Sequence, residues 1–520
     1  YYVTQLTWSS PVSNKLLLEA GFSRFQYLWA GFGQVPPDGL NSLIPVTESA
    51  LAYNGRANYS YRGLYDPLGF AYADNDANPN NWRFAASYVT GAHSIKAGYQ
   101  GSYQKSLQAR VANTTQLRYV FNSPVVNGQI TTPTPVGVGY YIAPRWEQND
   151  RTETQSLFVQ DQWTMKRLTL QGALRYDRAW SWAPADHNGA TVTSKFDPQA
   201  ITFPETVSVS GYNDITPRFG AAYDVFGTGK TSIKVNGGRY LQAATNDANY
   251  WANNPALRTV TNVLNRAWTD TNKNFVVDCD LTSPAAQNVP GGDSCGALTG
   301  NNLNFGINPV SNPNLTTINP DILKGWGVRP YDWQFGVSVQ QELIPRVSLE
   351  VSYNRRWFGN FFVTDNRATQ ASDYDKWTVT APQSGSLPSS GQTLQYYMIS
   401  AAAAARQPQN YQTFETDYAP ARTAYWHGVT TNLVARLHNG INVQAGTTTG
   451  RGVVNTCALY AALPEADVPL LGINQAISTC DITEPFLTMF RALASYTIPK
   501  VDVLVSASLR SVPNADIGMG

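Results

Sequence analysis

Hydrophobic and polar residues alternate along this chain with a period of two, over stretches longer than an ordinary strand. Between Tyr331 and Val363, Trp333, Phe335, Val337 and Val339 alternate with Gln334, Gly336, Ser338 and Gln340. Ile344-Pro345-Arg346 reads as a turn, and the return arm sets Val347, Leu349, Val351 and Tyr353 against Ser348, Glu350, Ser352 and Asn354. Such alternation gives a strand one apolar face and one wet face.

The pattern recurs. Leu168, Leu170, Leu174 and Tyr176 alternate with Thr169, Gln171, Arg175 and Asp177 after a turn near Lys166-Arg167. Ile233 and Val235 follow Gly227-Thr228-Gly229-Lys230, and Leu433, Ala435 and Leu437 precede Asn439-Gly440, the preferred pair for a type I′ hairpin. Val501, Val503, Val505, Ala507 and Leu509 leave a turn at Pro499-Lys500, and weaker arms flank Ser13-Asn14 and Ala92-His93. The sequence predicts about fourteen strands in about seven hairpins. The connections between hairpins are long, over residues 31–80, 111–150, 185–213, 245–330, 366–423 and 457–483. Short turns on one side and long loops on the other predict an all-β fold, a transmembrane antiparallel up-and-down β-barrel with periplasmic turns and extracellular loops. A β-sandwich also alternates, but its strands run about 5–6 residues and its connections are short on both sides.

Composition agrees with this. Charged residues are 14% against the roughly 25% of soluble domains, while 29 Tyr and 14 Trp raise the aromatic share to 12%. Trp163, Trp180, Trp182, Trp357 and Trp426 fall near strand ends, where amphipathic rings form interfacial girdles. No run of 18 apolar residues suggests a membrane helix. A net charge of +1 without a basic cluster gives no reason to expect nucleic acid as a partner. The expected partner is outer-membrane lipid.

The loops carry the candidate chemistry. Cys279 with Cys295 and Cys457 with Cys480 form two close pairs, as expected of loop-stapling disulfides in an oxidising compartment. Asp270, Asn272, Asn274 and Asp278 stand at positions 1, 3, 5 and 9, as oxygens do at the front of calcium-binding loops. Phe275 replaces the usual Gly and no Glu stands at position 12, so an Asx-turn loop is the competing reading of this Ca²⁺ site. Ala401–Ala405 predicts a short helical turn. Catalysis has no support: His93, His187, His427 and His438 lack metal-ligand spacing, no G-x-S-x-G elbow occurs, and Asp373 and Asp375 read as solvated loop charge.

Several segments resemble the barrel of TonB-dependent outer-membrane receptors, in particular the Oar-like group with a carboxypeptidase-regulatory-like N-terminal domain. They are Ser156-Leu-Phe-Val-Gln-Asp-Gln-Trp163 with Leu174-Arg-Tyr-Asp177, Thr216-Pro-Arg-Phe-Gly-Ala-Ala-Tyr-Asp-Val-Phe-Gly227, and Asp332-Trp-Gln-Phe-Gly-Val-Ser-Val-Gln340 through Arg355-Arg-Trp-Phe-Gly-Asn360. The resemblance implies a barrel of about 22 strands around a plug domain, coupled to TonB, ExbB and ExbD. The sequence shows fewer strands, no plug or TonB box before Tyr1, and no aromatic residue closing a final strand at Gly520. All 520 residues are therefore expected to be part of one barrel domain, as an internal stretch of a longer polypeptide. Three functions follow: import of a scarce nutrient such as a metal chelate, glycan or peptide; a passive porin or fatty-acid channel; and a surface adhesion barrel.

Overall fold

In the computed structural model, residues 1–29, 43–50, 59–61, 72–141, 143–188, 194–196, 200–245, 248–258, 263–298, 316–385, 390–437, 440–466 and 480–513 are described. Fourteen long strands form one antiparallel wall, each paired with its neighbours in the chain. They are β1 (Tyr2–Pro11), β2 (Leu16–Trp29), β3 (Tyr72–Thr90), β4 (His93–Val111), β5 (Arg145–Met165), β6 (Leu168–Ala183), β7 (Gly211–Asp224), β8 (Thr231–Leu241), β9 (Tyr331–Ile344), β10 (Val347–Gly359), β11 (Thr423–Arg436), β12 (Ile441–Asn455), β13 (Leu487–Ile498) and β14 (Val503–Ser511). Among the described residues β1 pairs only with β2 and β14 only with β13.

Register turns the sequence alternation into two faces. Ala20, Phe84, Tyr99, Leu157, Tyr176 and Ile215 lie side by side across six strands. Their apolar side chains point away from the wall without cover: Leu157 is 58% exposed and Phe84 54%. That is the face a bilayer would cover. The opposite face reads Arg83, Gln100, Ser156 and Asp177 across four strands. Because the side-chain period is two, a slip of one residue would exchange these faces, so the alternation itself fixes the register.

The tight turns explain how the hairpins close. Lys166 and Arg346 take positive φ, 48° and 70°, in turns that join β5 to β6 and β9 to β10. Gly440, with φ 76°, stands in the β11–β12 turn, while Asn439 and His438 lie outside the described residues. At the β7–β8 turn Asp224 accepts from the amides of Gly227 and Gly229 at 2.9 and 2.8 Å.

The wall strands reach further into the expected loops than hydrophobicity signals. β3 begins at Tyr72 and β5 at Arg145, inside the connections placed at 31–80 and 111–150. Polar residues continue the ladder there, with Asn75 opposite Gln108 and Asp150 opposite Ser106. A backbone ladder needs no apolar side chain, so the alternation fades before the strand ends.

Among the described residues the wall strands add to buried clusters only near their cap ends, through Trp146, Ala179 and Tyr212. The largest buried cluster, Val46, Tyr119, Phe121, Val138, Tyr140, Leu264 and Trp268, belongs to the long connections. The first, second and fourth of these contribute short strands to a separate seven-stranded sheet: Val46–Glu48 and Tyr59–Tyr61, then Leu117–Phe121 and Pro135–Tyr141, then Val263–Thr269 with two shorter pieces. Phe196 of the third connection packs on this cluster. Thr317–Ile318 of the fourth pairs with Asn410–Phe414 of the fifth, and Leu459 of the sixth packs with Val363 of the fifth. All six connections therefore contribute to an interlocked cap. Ala401–Ala404 is the expected helical turn, with the Ser400 hydroxyl accepting from the Ala403 amide.

Candidate functional site

The wet face of the wall carries paired and unpaired cations. Glu19 pairs with Lys96 across the sheet. Arg175 donates from Nε to Asp177 at 2.8 Å, and the Ser156 hydroxyl donates to the same oxygen at 2.6 Å. Arg175 also donates to Gln100. Further round, Lys234 donates to Gln340 at 2.6 Å and lies 3.6 Å from Glu350, which accepts from Ser338. Arg356 donates to Asp332 at 2.7 Å.

Arg83 and Arg218 form no ion pair among the described residues. Arg218 rests its guanidinium 4.6 Å from the Tyr240 ring instead. Both arginines, with Lys96 and Arg175, line one cavity of about 350 Å³ in which Glu19 is the single carboxylate. Phe158 faces inward there, against the general rule, because Gly98 on the neighbouring strand leaves room for its ring. The sequence gives each cation an inward position by parity; only the register brings them together.

The cap above is built from polar anchors as well as its apolar cluster. Glu48 is fully buried, and one carboxylate oxygen accepts from the amides of Ala50 and Ser123, each at 3.0 Å, tying the first connection to the second. Arg266 is spread over three carbonyls, those of Gly296, Ser283 and Ala285, at 2.9, 2.9 and 2.7 Å. Arg329 donates to Asp214 at 2.7 Å in a buried pair that fixes the return of the fourth connection to β7. On the surface, Asp373 accepts both guanidinium nitrogens of Arg406, at 2.7 and 3.1 Å, and the Gln370 amide at 2.9 Å. The Arg406 guanidinium, helped by that amide, holds the Asp373 carboxyl below the usual range. Sequence reading took Asp373 as solvated charge; its partner stands 33 residues away, beyond any local signal.

The structure joins Cys279 to Cys295 and Cys457 to Cys480, with Cα separations of 6.4 and 4.9 Å. The first bond lies in the cap cluster beside Trp268, and the second ties the sixth connection at the foot of a short helix, Cys457–Ala462.

Asp270, Asn272, Asn274 and Asp278 curl into one turn, with positive φ at Lys273 and Phe275. Asp270 accepts from the amides of Asn274 and Phe275, Asn274 accepts from Val276, and the Asn272 amide donates to Asp278 at 2.7 Å. With one oxygen from each, the four side chains supply four of the six to eight ligands of a calcium shell, so water and a carbonyl would complete it. Leu281, at position 12, is buried in the cap cluster and supplies none. Among the described residues no group of three or more His, Cys, Asp or Glu stands ready for a metal. Asp293, which the sequence did not single out, organises this turn. It is fully buried and accepts from Trp268 Nε1 at 2.8 Å and from the Thr271 and Asp278 amides at 3.2 Å each.

Of the expected girdle residues, Trp163, Trp180, Trp182 and Trp357 share the apolar parity. Trp426 does not. It stands opposite Arg356 on the inner face, where its ring covers Gly450. A position near a strand end does not fix the face; parity does.

Residues 1–476 match the model of a family described as "Outer membrane beta barrel domain". The match is to the barrel as a whole and does not single out the Oar-like group. No curated protein matches the chain. Solved structures similar to it include the copper transporter OprC (9% identity, TM-score 0.39, 95% of this chain and 49% of that one). The unliganded ferric citrate transporter FecA is another (8%, 0.38, 98% and 56%). So is the ferripyoverdine receptor of Pseudomonas aeruginosa bound to ferripyoverdine (10%, 0.40, 97% and 48%). The chain spans about half the length of these structures.

Proposed function

Because the chain belongs to the outer membrane β-barrel family, we propose that it forms the wall and extracellular cap of a receptor that imports a scarce nutrient with TonB-derived energy. One observation carries this reading: the long loops interlock through apolar clusters and short sheets of their own above a polar inner face. Long loops without function are uncommon, and a cap of this kind suits capture better than free diffusion. A passive porin needs an open mouth.

Among the three cargo classes, an anionic metal chelate is favoured over a neutral glycan. The cavity with Arg83, Lys96, Arg175 and Arg218 against Glu19 attracts carboxylate-rich solutes, and arginine recognises them with paired donors. Energy transfer through TonB, ExbB and ExbD rests on the segment resemblance and requires a plug. The test is uptake of ferric citrate and of a neutral oligosaccharide by cells carrying the full-length gene, before and after the proton-motive force is collapsed. Energy-dependent uptake of the chelate, reduced by Arg83→Gln with Arg218→Gln, is expected. Uptake that survives the collapse would remove the TonB reading, and equal uptake of the neutral sugar would remove the anionic cargo.

A calcium ion at Asp270, Asn272, Asn274 and Asp278 is a separate proposal, supported by the spacing and the curled turn. Chelation is then expected to raise proteolysis near residue 275 and leave the wall intact. Equal cleavage with and without chelator would sink it.

A further inference from the structure

The greasy face of the wall has a basic row at one level. Phe335, Arg355, His427 and Arg451 lie side by side across β9 to β12. The next row towards the cap is Arg239, Trp333, Trp357 and Tyr425. Both share the parity of Val351, Tyr353 and Val429, exposed apolar side chains of the bilayer face. These arginines therefore point outward, away from the aqueous interior.

Their height fits a headgroup layer. Arg355 stands eight residues from Val347, where β10 leaves its turn. At about 3.4 Å per residue and the usual 35–45° tilt, that is roughly 20 Å, near the top of an apolar band about 25 Å tall. An arginine facing lipid costs about 2–4 kcal/mol at the midplane and about 0–1 near the interface.

Chemistry at this level suits an anion. Arg355 lies 4.8 Å from the Tyr425 ring, Arg451 4.7 Å from Phe486, and Arg239 4.2 Å from Tyr331. Arg451 donates to His427 Nε2 at 3.1 Å. Among the described residues none of the three arginines forms an ion pair. Stacking holds each guanidinium in place while leaving donors at its edge. A groove of about 520 Å³ opens beside them, lined by Phe335, Arg355, Trp357, Arg422 and Tyr425. Arg422 is already engaged by Glu415.

We propose that this patch is a binding site for a phosphorylated lipid of the outer leaflet. The phosphate sits between Arg355 and Arg451 over His427, with Arg239 to one side. An acyl chain runs down over Tyr353, Val429 and Val351. The proposal rests on the outer-membrane reading and adds a specific headgroup chemistry to it.

The test uses the full chain reconstituted into phosphatidylcholine vesicles with or without diphosphoryl lipid A. Bound lipid is counted by native mass spectrometry after detergent extraction. Heat-modifiable electrophoretic mobility reports the folded wall. Wild type is expected to retain the diphosphoryl lipid, and Arg355→Gln with Arg451→Gln to lose it by about tenfold, about 1.4 kcal/mol. Arg356→Gln, one residue along and facing inward, should leave retention unchanged. Inorganic phosphate should not displace the lipid. Equal retention by a folded double variant, or displacement by inorganic phosphate, overturns the site. A wild-type chain that inserts into neither vesicle overturns the membrane reading instead.

Discussion

At Gly98 the wall admits no side chain. A Cβ there would lie 2.6 Å from the Phe84 carbonyl oxygen and 2.5 Å from the Phe158 ring, and the backbone atom cannot move aside. Gly172 has nothing within 4 Å. Gly98→Ala is expected to destabilise the wall by about 1–3 kcal/mol, the range for overpacking, while Gly172→Ala changes little; denaturant midpoints in detergent would show the contrast. In the cap, Glu48→Ala leaves the Ala50 and Ser123 amides buried without their acceptor. A loss of about 1–3 kcal/mol in cap stability is expected, read as faster hydrogen exchange at those two amides. None of these positions stands out in the sequence. A glycine or glutamate announces its type there, and distant neighbours decide its role: Phe158 for Gly98 and Ser123, 75 residues on, for Glu48.

At the element scale the wall and the cap differ in what stabilises them. Strands of the wall are legible because each carries its own alternation, as Val347–Tyr353 does. Cap strands such as Leu117–Phe121 and Pro135–Tyr141 are five and seven residues long and find partners on other connections. Their apolar runs were the available signal; their pairing was not. The 16-residue separation of Cys279 and Cys295 places that disulfide where loop-closure entropy is worth about 3 kcal/mol. Replacing both with Ser is expected to speed proteolysis of the cap and leave the heat-modifiable shift of the wall intact. The Asp373–Arg406 clamp sets an acid limit. Its carboxyl is held below the unfolded value of about 3.9, so its contribution is present above that pH and is lost as pH falls through the lower folded value. Protection of the Gln370 amide should persist at pH 5 and disappear in stronger acid. Arg406→Gln should move that loss to higher pH.

Over the whole molecule, the arrangement inverts that of a soluble protein. Trp268 and Tyr140, among the largest fully buried side chains, sit in the cap, while Leu157 and Phe84 of the wall face outward. Two cooperative units are expected, because the cap has its own larger cluster while the wall meets the loops through the smaller clusters at Trp146, Ala179 and Tyr212. Urea at neutral pH is expected to expose Trp268 first, seen as a red shift of tryptophan emission, at a concentration that leaves the wall folded. A single coincident transition for emission and mobility would contradict this. The unpaired edges of β1 and β14 matter at this scale too. In a bilayer their backbone groups must be satisfied, by each other or by further strands.

The sequence by itself determined the wall: its strand count, its turns and which side chains face lipid or water. A period of two is a local property, and in a membrane it leaves one register with polar groups wet and apolar groups dry. Tertiary structure alone decided the cap, the gathering of Arg83 and Arg218 into one cavity, and the pairing of Asp373 with Arg406. Those depend on which distant segments become neighbours, and strand order and loop packing set that in a way alternation does not encode.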